Sequence, residues 1–186
     1  MDISNNAKKA RPSSTLSISS NANRMIDEGI DIVNFSAGEP DFNTPDYIKE
    51  AAIEAINDNF TKYTPYEGIV ELRQAVADDL KKNCALDYTP EQIVISNGRK
   101  HAITNAFMAI LNPEDEVIVP APYWNRYIDI IELCYGVHVA VNTPMQHSLT
   151  VHVEHRAEAV TDKTKAIIIN SPNHPTRMVY YRTEYD

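Results

Sequence analysis

The sequence predicts an α/β protein built on a parallel sheet, and three observations lead there. From residue 92 strand and helix signals alternate: strands at about 92–96, 116–119, 137–141 and 165–169, with helices at about 100–111, 124–134 and 153–160. Strand–helix–strand repeats of this length call for parallel strands with right-handed crossovers. The runs Val117-Ile118-Val119 and Ala166-Ile167-Ile168-Ile169 are apolar throughout rather than alternating, as expected of strands covered on both faces. Third, the run Gln92-Ile93-Val94-Ile95 ends at Ser96-Asn97-Gly98, and a helical pattern starts directly behind it at Arg99-Lys100-His101.

The elements before residue 92 follow from caps and periodicity. Residues 1–11 are polar and basic without periodicity and predict a flexible arm. Pro12-Ser13-Ser14-Thr15 supplies caps for a helix running through Met25 and Ile26 and closed by Gly29. Ile30 to Phe35 reads as a short strand entering the loop Ser36-Ala37-Gly38-Glu39-Pro40-Asp41-Phe42. Thr44-Pro45, a cap followed by proline at the first helical position, starts a helix whose apolar face is Ile48, Ala52, Ala55 and Ile56. A loop with Tyr63, Pro65, Tyr66 and Gly68 follows. Val70, Leu72, Val76 and Leu80 then line a helix with Lys81-Lys82 at its C-terminal end.

Composition narrows the function classes. At 186 residues the chain suffices for one domain with a real core. A net charge of −9 argues against a nucleic-acid partner and provides no basic patch for a membrane surface. Cys84 and Cys134 fit neither a disulfide framework nor a metal-ligand pattern. No apolar run approaches the roughly 18–20 residues that span a bilayer. Residues 1–24 lack the apolar core of a secretory signal, so a cytoplasmic setting is expected.

The joint at 92–101 carries the first functional expectation. It points bare backbone N–H groups and the positive end of a helix dipole outward, which suits an anion. Gly98 allows close backbone approach, and Ser96 or Asn97 can cap the helix. An ordinary βα turn gives the same pattern. The anion reading gains from the other strand ends, Ala121-Pro122-Tyr123-Trp124 and Asn170-Ser171-Pro172-Asn173, because ligands of parallel sheets sit at the carboxyl edge.

Five motifs in order carry a resemblance. Ser-Ala-Gly-Glu-Pro-Asp-Phe at 36–42, Lys-Tyr-Thr-Pro at 62–65 and Ser-Asn-Gly-Arg-Lys at 96–100 come first. Pro-Ala-Pro-Tyr-Trp at 120–124 and Asn-Ser-Pro-Asn-His-Pro-Thr at 170–176 follow. The set resembles the class I aminotransferases, pyridoxal-phosphate enzymes of fold type I, and in particular their bacterial aspartate aminotransferase branch. The likeness runs from about residue 10 to 182. It implies the three-layer α/β/α sandwich of the family's large domain, incomplete, with an N-terminal helical arm. Residues 1–43 would form the arm and a substrate-loop segment of the small domain, and 44–186 the cofactor-binding large domain.

The resemblance also assigns roles. Gly98, Arg99 and Lys100 match the turn that holds the cofactor phosphate. Trp124 matches the aromatic residue stacked on the pyridine ring, against the alternative of a core or rim aromatic. Tyr63 matches a tyrosine that reaches the phosphate of a neighbouring subunit, which implies a homodimer; local packing in its loop is the alternative. Gly38 matches the backbone position near the substrate α-carboxylate, unless it serves only its turn.

Other features depart from the family. The chemistry needs a lysine amine for the cofactor and a carboxylate against its pyridinium nitrogen, which in the family follow later than residue 186. Lys100, Lys163 and Lys165 do not stand in such a context. His174 replaces the asparagine that binds the cofactor's phenolic oxygen, and Arg177 the glycine closing the same motif. Glu114 and Tyr135 stand at turn positions that are commonly glycine, and Arg99 replaces a small residue. Arg156 and His152 interrupt the helix signal at 153–160. His147, His152 and His155 read as a solvated loop and helix start rather than a metal site. The expectation is therefore an aminotransferase-family chain using pyridoxal 5'-phosphate to move an amino group between an aspartate-like amino acid and a 2-oxo acid, truncated and inactive alone. The alternative is a non-catalytic fragment or a dimerisation partner of a full-length homologue.

Overall fold

The computed structural model describes residues 2–11, 14–35, 38, 40–143 and 157–182. These belong to two compact units, one made of Met1–Arg11 with Ser96–Asp186 and the other of Pro12–Ile95.

The first unit holds the sheet. Strands β1 (Glu116–Ala121), β2 (Val137–Asn142) and β3 (Thr164–Ile167) are all parallel, in the order β2-β1-β3. β1 lies between the other two, and its run Val117, Ile118, Val119 is buried to 1% or less, as the unbroken apolar pattern requires. Val117 and Val119 face helices α5 (Gly98–Ile110) and α6 (Arg126–Leu133), where Phe107, Tyr127, Ile130 and Ile131 complete the main core. Ile118 points the other way and packs with Val141, Val139 and Ala159, the last in a helical segment at 157–159. The strand pleat thus turns Val117 and Val119 toward α5 and α6 and Ile118 toward the opposite face. Burying Ile118 and Ile131 contributes about 1.5–3 kcal/mol each.

Three expectations change, the first of them at the end of the second unit. Residues 93–96 do not join the sheet; 3₁₀ geometry at Pro90–Gln92 precedes them, and Ile95 N–H instead bonds the Glu67 carbonyl at 2.8 Å. Extended backbone becomes a strand only where a neighbour completes its ladder. The last run is not buried on both faces either: Ile167 is 38% exposed, because β3 is an edge strand. The N-terminal segment is not a loose arm through Lys9. It forms a short helix α1 (Asn5–Lys9), capped by the Ser4 hydroxyl accepting from the Ala7 amide. Asn6 Nδ2 donates to the Leu133 carbonyl at 2.8 Å, and Arg11 reaches Glu132 at 3.5 Å, so α1 docks on the end of α6. The polar residues that hid the helix from a periodicity reading are the ones that dock it. The helix expected at 153–160 lies mostly outside the described residues, as do His147, His152 and His155.

The second unit is helical: α2 (Ser14–Asp27), α3 (Asp46–Asn57) and α4 (Val70–Cys84). The turn that follows α2 has Gly29 at φ 78°. α3 begins one residue later than expected, with Pro45 at the cap position and Asp46 in the first turn near the positive dipole end. Residues 30–35 are not a strand. Their backbone has no strand assignment, and Val33 and Phe35 are 77% and 91% exposed. The 3₁₀ turn packs against α4: Arg73 bonds the carbonyls of Gly68 (3.1 Å) and Pro90 (3.0 Å), pinning the loop before α4 to the segment after it.

Candidate functional site

The site forms in the first unit, where the sheet's carboxyl edge meets the start of α5. Gly98 has φ 81°, a backbone conformation that side chains disfavour, and a Cβ placed there would meet nothing within 4 Å. The turn therefore needs glycine for its shape and leaves open space beside it. The capping differs from expectation. Neither Ser96 nor Asn97 caps α5 with its side chain. Ser96 Oγ accepts from Asn105 Nδ2 at 3.3 Å, and the Asn97 amide donates to His101 Nδ1 at 3.1 Å. The Gly98 amide turns inward to the Ser96 carbonyl at 2.8 Å. Helical geometry still leaves the Arg99 and Lys100 N–H groups without intrahelical acceptors. The outward-facing donors of the turn are thus Arg99 and Lys100, not Gly98.

Trp124 brings a second strand end to this turn. Ala121-Pro122, a cis peptide, leads out of β1 through Tyr123 to Trp124, directly before α6. The half-buried indole meets Tyr127 edge-on, with centroids 5.3 Å apart and planes at 88°. Arg99 Cζ lies over the indole at 4.7 Å from the ring centroid, and Lys100 Nζ at 5.9 Å. A cationic turn and a flat aromatic surface are therefore adjacent.

The third strand end is tied to the second. Asn173 is 7% exposed, and its Nδ2 donates to the Pro122 carbonyl at 3.2 Å. Its own loop closes through two 2.8 Å backbone bonds, Asn173 N–H to the Met178 carbonyl and Arg177 N–H to the Asn173 carbonyl. Arg177 has φ 64°, so a non-glycine residue does occupy the left-handed region that the motif needs. A small cleft between the two loops is lined by Tyr123, Tyr127, Ile168, Asn170, Asn173 and Tyr180. His174 lies exposed beside it in sequence, next to the cis His174-Pro175 peptide.

Of the residues singled out by sequence, the structure gathers Gly98, Arg99, Lys100 and Trp124. His174 follows the buried Asn173 in the adjoining loop. Gly38 and Tyr63 belong to the other unit, where both are exposed. Sequence reasoning missed two residues: Asn173, the tie between loops, and Tyr127, the edge partner of the indole. The i, i+3 spacing of Trp124 and Tyr127 on a helix start was a usable signal; an asparagine bracketed by Pro172 and Pro175 was a weaker one. Among the described residues no His/Cys/Asp/Glu group is arranged to hold a metal ion. No helix of the described residues is long and apolar enough to cross a membrane. Cys84 and Cys134 are free thiols, the first exposed and the second buried.

A parallel sheet with this edge defines a class, and comparison with known proteins agrees: the family Aminotransferase class I and II matches residues 30–186, and the chain belongs to it. It is 43% identical over 184 residues to an aspartate aminotransferase of Bacillus sp. (strain YM-2), covering 99% of this chain and 47% of that protein. It is 45% identical over 176 residues to a probable aspartate/prephenate aminotransferase of Rhizobium leguminosarum bv. phaseoli, covering 95% and 44%. Among solved structures, an aspartate aminotransferase from Thermus thermophilus with maleate superposes with a TM-score of 0.94 at 40% identity. That match covers 98% of this chain and 48% of the other. The chain thus spans about half the length of the relatives it matches.

Proposed function

We propose that these residues build the phosphate-holding and ring-stacking half of a pyridoxal-phosphate aminotransferase site. The observation that carries the proposal is the Arg99–Lys100 turn set against Trp124, with the guanidinium 4.7 Å from the indole centroid. The donor set fits a phosphate: two cations, free first-turn amides and open space beside Gly98. In this reading Gly98 leaves the space in which Arg99 and Lys100 orient the phosphate, and Trp124 takes the flat ring on its face. Asn173 fixes the spacing between the loops that carry Trp124 and His174. His174 stands at the phenolate-binding position, where its imidazole N–H replaces an amide donor. Gly38 would lie near the substrate α-carboxylate, and Tyr63 would serve a neighbouring subunit across a homodimer. The proposed division remains an arm and substrate-loop segment at 1–43 and the cofactor domain at 44–186, in a cytoplasmic protein.

When bound, the cofactor supplies an electron sink that lets an amino group pass between an aspartate-like amino acid and a 2-oxo acid. The chain's own residues bind and orient. None of its described lysines at the site is placed to carry the cofactor: Lys100 belongs to the anion turn, and Lys163 pairs with Glu114 at 3.3 Å. The 186 residues alone are therefore expected not to catalyse transamination. The test is pyridoxal-phosphate titration followed by amide shifts at Gly98 and Lys100, with aspartate and 2-oxoglutarate turnover measured in parallel. Shifts without turnover support the reading. Turnover together with a borohydride-trapped lysine adduct would overturn the inactivity, and unmoved amides would overturn the site.

A second reading has support in Arg177, Glu114 and Tyr135, which hold positive φ angles at turns where glycine is cheaper. They favour a non-catalytic partner for a full-length homologue. Mixing with such an enzyme and measuring mass by light scattering separates the two readings.

A further inference from the structure

We propose that Arg99 acts as a cap on Trp124 that an anion at the α5 turn removes, so that ring stacking depends on a phosphate being bound. The inference rests on the reading of the turn as a phosphate seat. A guanidinium 4.7 Å from the indole centroid occupies the surface that a flat ligand would need. Lys100 Nζ, at 5.9 Å, stands at the limit of such contacts, so Arg99 supplies most of the cap. Tyr127 holds the indole edge-on at 5.3 Å, which keeps the ring from turning away from its cap.

Arg99 occupies the second position of α5, where its own backbone N–H faces the anion site. A phosphate bound there offers the guanidinium a bidentate, charge-assisted partner, which outcompetes an exposed aromatic face. Arg99 then swings from ring to anion and uncovers Trp124. The residue would select ligands bearing both a phosphate and a flat ring over rings without phosphate. Phosphate and ring are thereby coupled through one side chain that binds either the anion or the indole.

Trp124 is the sole tryptophan of the 186-residue chain, so its emission reports the ring contact directly. The experiment uses inorganic phosphate and pyridoxine, the second being a ring without phosphate or aldehyde. Phosphate should move the Gly98 and Lys100 amide resonances and the Trp124 emission together in the parent chain. It should also strengthen pyridoxine binding by about 2- to 5-fold, the range an exposed cation–π contact represents. In Arg99→Ala the amides should still respond to phosphate. The Trp124 response and the coupling should vanish, and pyridoxine alone should bind as it does to the phosphate-loaded parent. Arg99→Lys, which keeps the charge but not the planar fork, should retain a weaker coupling; both variants are checked by circular dichroism. Amide shifts with a silent Trp124, or coupling that persists in Arg99→Ala, would overturn the cap and leave the phosphate seat standing. Unmoved amides would overturn both.

Discussion

Glu114 and Tyr135 are joined backbone to backbone, and both lie in the left-handed region. Glu114 N–H donates to the Tyr135 carbonyl at 3.1 Å, with φ angles of 72° and 66°. The pair closes the end of α6 against the turn before β1, and Gly136 beside it is tightly packed. A Cβ on Gly136 would come within 2.9 Å of Leu111 Cδ1 and 3.0 Å of Ile131 Cγ2. Left-handed backbone costs a side-chain-bearing residue about 1–2 kcal/mol, partly offset by the entropy glycine loses on folding. Glu114→Gly and Tyr135→Gly are each expected to raise unfolding free energy by about 0.5–1 kcal/mol. Because the two residues share a hydrogen bond, the double variant should depart from additivity. Urea denaturation midpoints with unchanged slopes would show the gain; a lower midpoint in both single variants would count against stored backbone strain.

The family resemblance implies that Glu114, Tyr135 and Arg177 stand at turn positions that are commonly glycine, and all three have positive φ. The parallel core of β1 was equally readable, because Val117, Ile118 and Val119 encode burial in their composition alone. Long-range pairing was not readable. Residues 93–96 and 30–35 have strand-like composition, yet pairing depends on what lies beside them, which local pattern cannot supply. The docking of α1 through Asn6 was hidden for the same reason: its partner, Leu133, is 127 residues away. At the candidate site, Gly98 follows from the strand–turn–helix joint, whereas Trp124 takes its expected role from the family resemblance. The Arg99 cap and the Asn173 tie depend on side-chain directions that sequence leaves open.

Gly68 shows how a single hydrogen can be required. Its φ is 106°, and a Cβ there would stand 2.6 Å from Ile95 Cγ1 and 2.8 Å from Ile95 Cβ. The obstacle is the branch point of a β-branched side chain, which cannot swing aside as a flexible tip would. Gly68→Ala is expected to lose about 2–4 kcal/mol from overpacking and backbone strain together. Pairing it with Ile95→Ala should recover part of that loss by removing the Cγ contact, while the 2.8 Å approach to Cβ and the backbone strain stay. Thermal unfolding of the two single variants and the double variant gives the comparison; full additivity would show that the two residues do not meet.

Cys134 sets a pH dependence. It is 5% exposed in the main core, its Sγ lies 3.7 Å from the Thr104 carbonyl, and burial raises the thiol above its ordinary value of 9.0. A raised folded-state value means the unfolded chain loses this proton first as pH rises. The thiol's contribution is therefore complete below that ordinary value and is lost as pH rises through the folded one. Unfolding free energy should fall more steeply above pH 9 in the parent chain than in Cys134→Ala, measured under reducing conditions. Parallel pH profiles for the two chains would remove Cys134 as the cause. Cys134→Ala should itself be less stable near neutrality, because it leaves a small cavity.

Gly98 separates the demands of fold and ligand at one position. An alanine there would carry the strain of φ 81°, worth about 1–2 kcal/mol. Its methyl group would touch nothing in the protein within 4 Å, so no overpacking cost is added. In the proposed site the same empty space is where an anion would approach the Arg99 and Lys100 amides. Gly98→Ala is therefore expected to fold with a modestly lower melting temperature yet bind inorganic phosphate about 10-fold more weakly, the equivalent of one lost charge-assisted hydrogen bond. Phosphate titration followed at the Lys100 amide, beside a melting curve of the unliganded chain, distinguishes the two effects. An unchanged phosphate affinity with the expected drop in stability would confine Gly98 to shaping its turn. The reverse pattern, weak binding with parent-like stability, would show that the turn can relax its backbone and that the methyl alone excludes the anion.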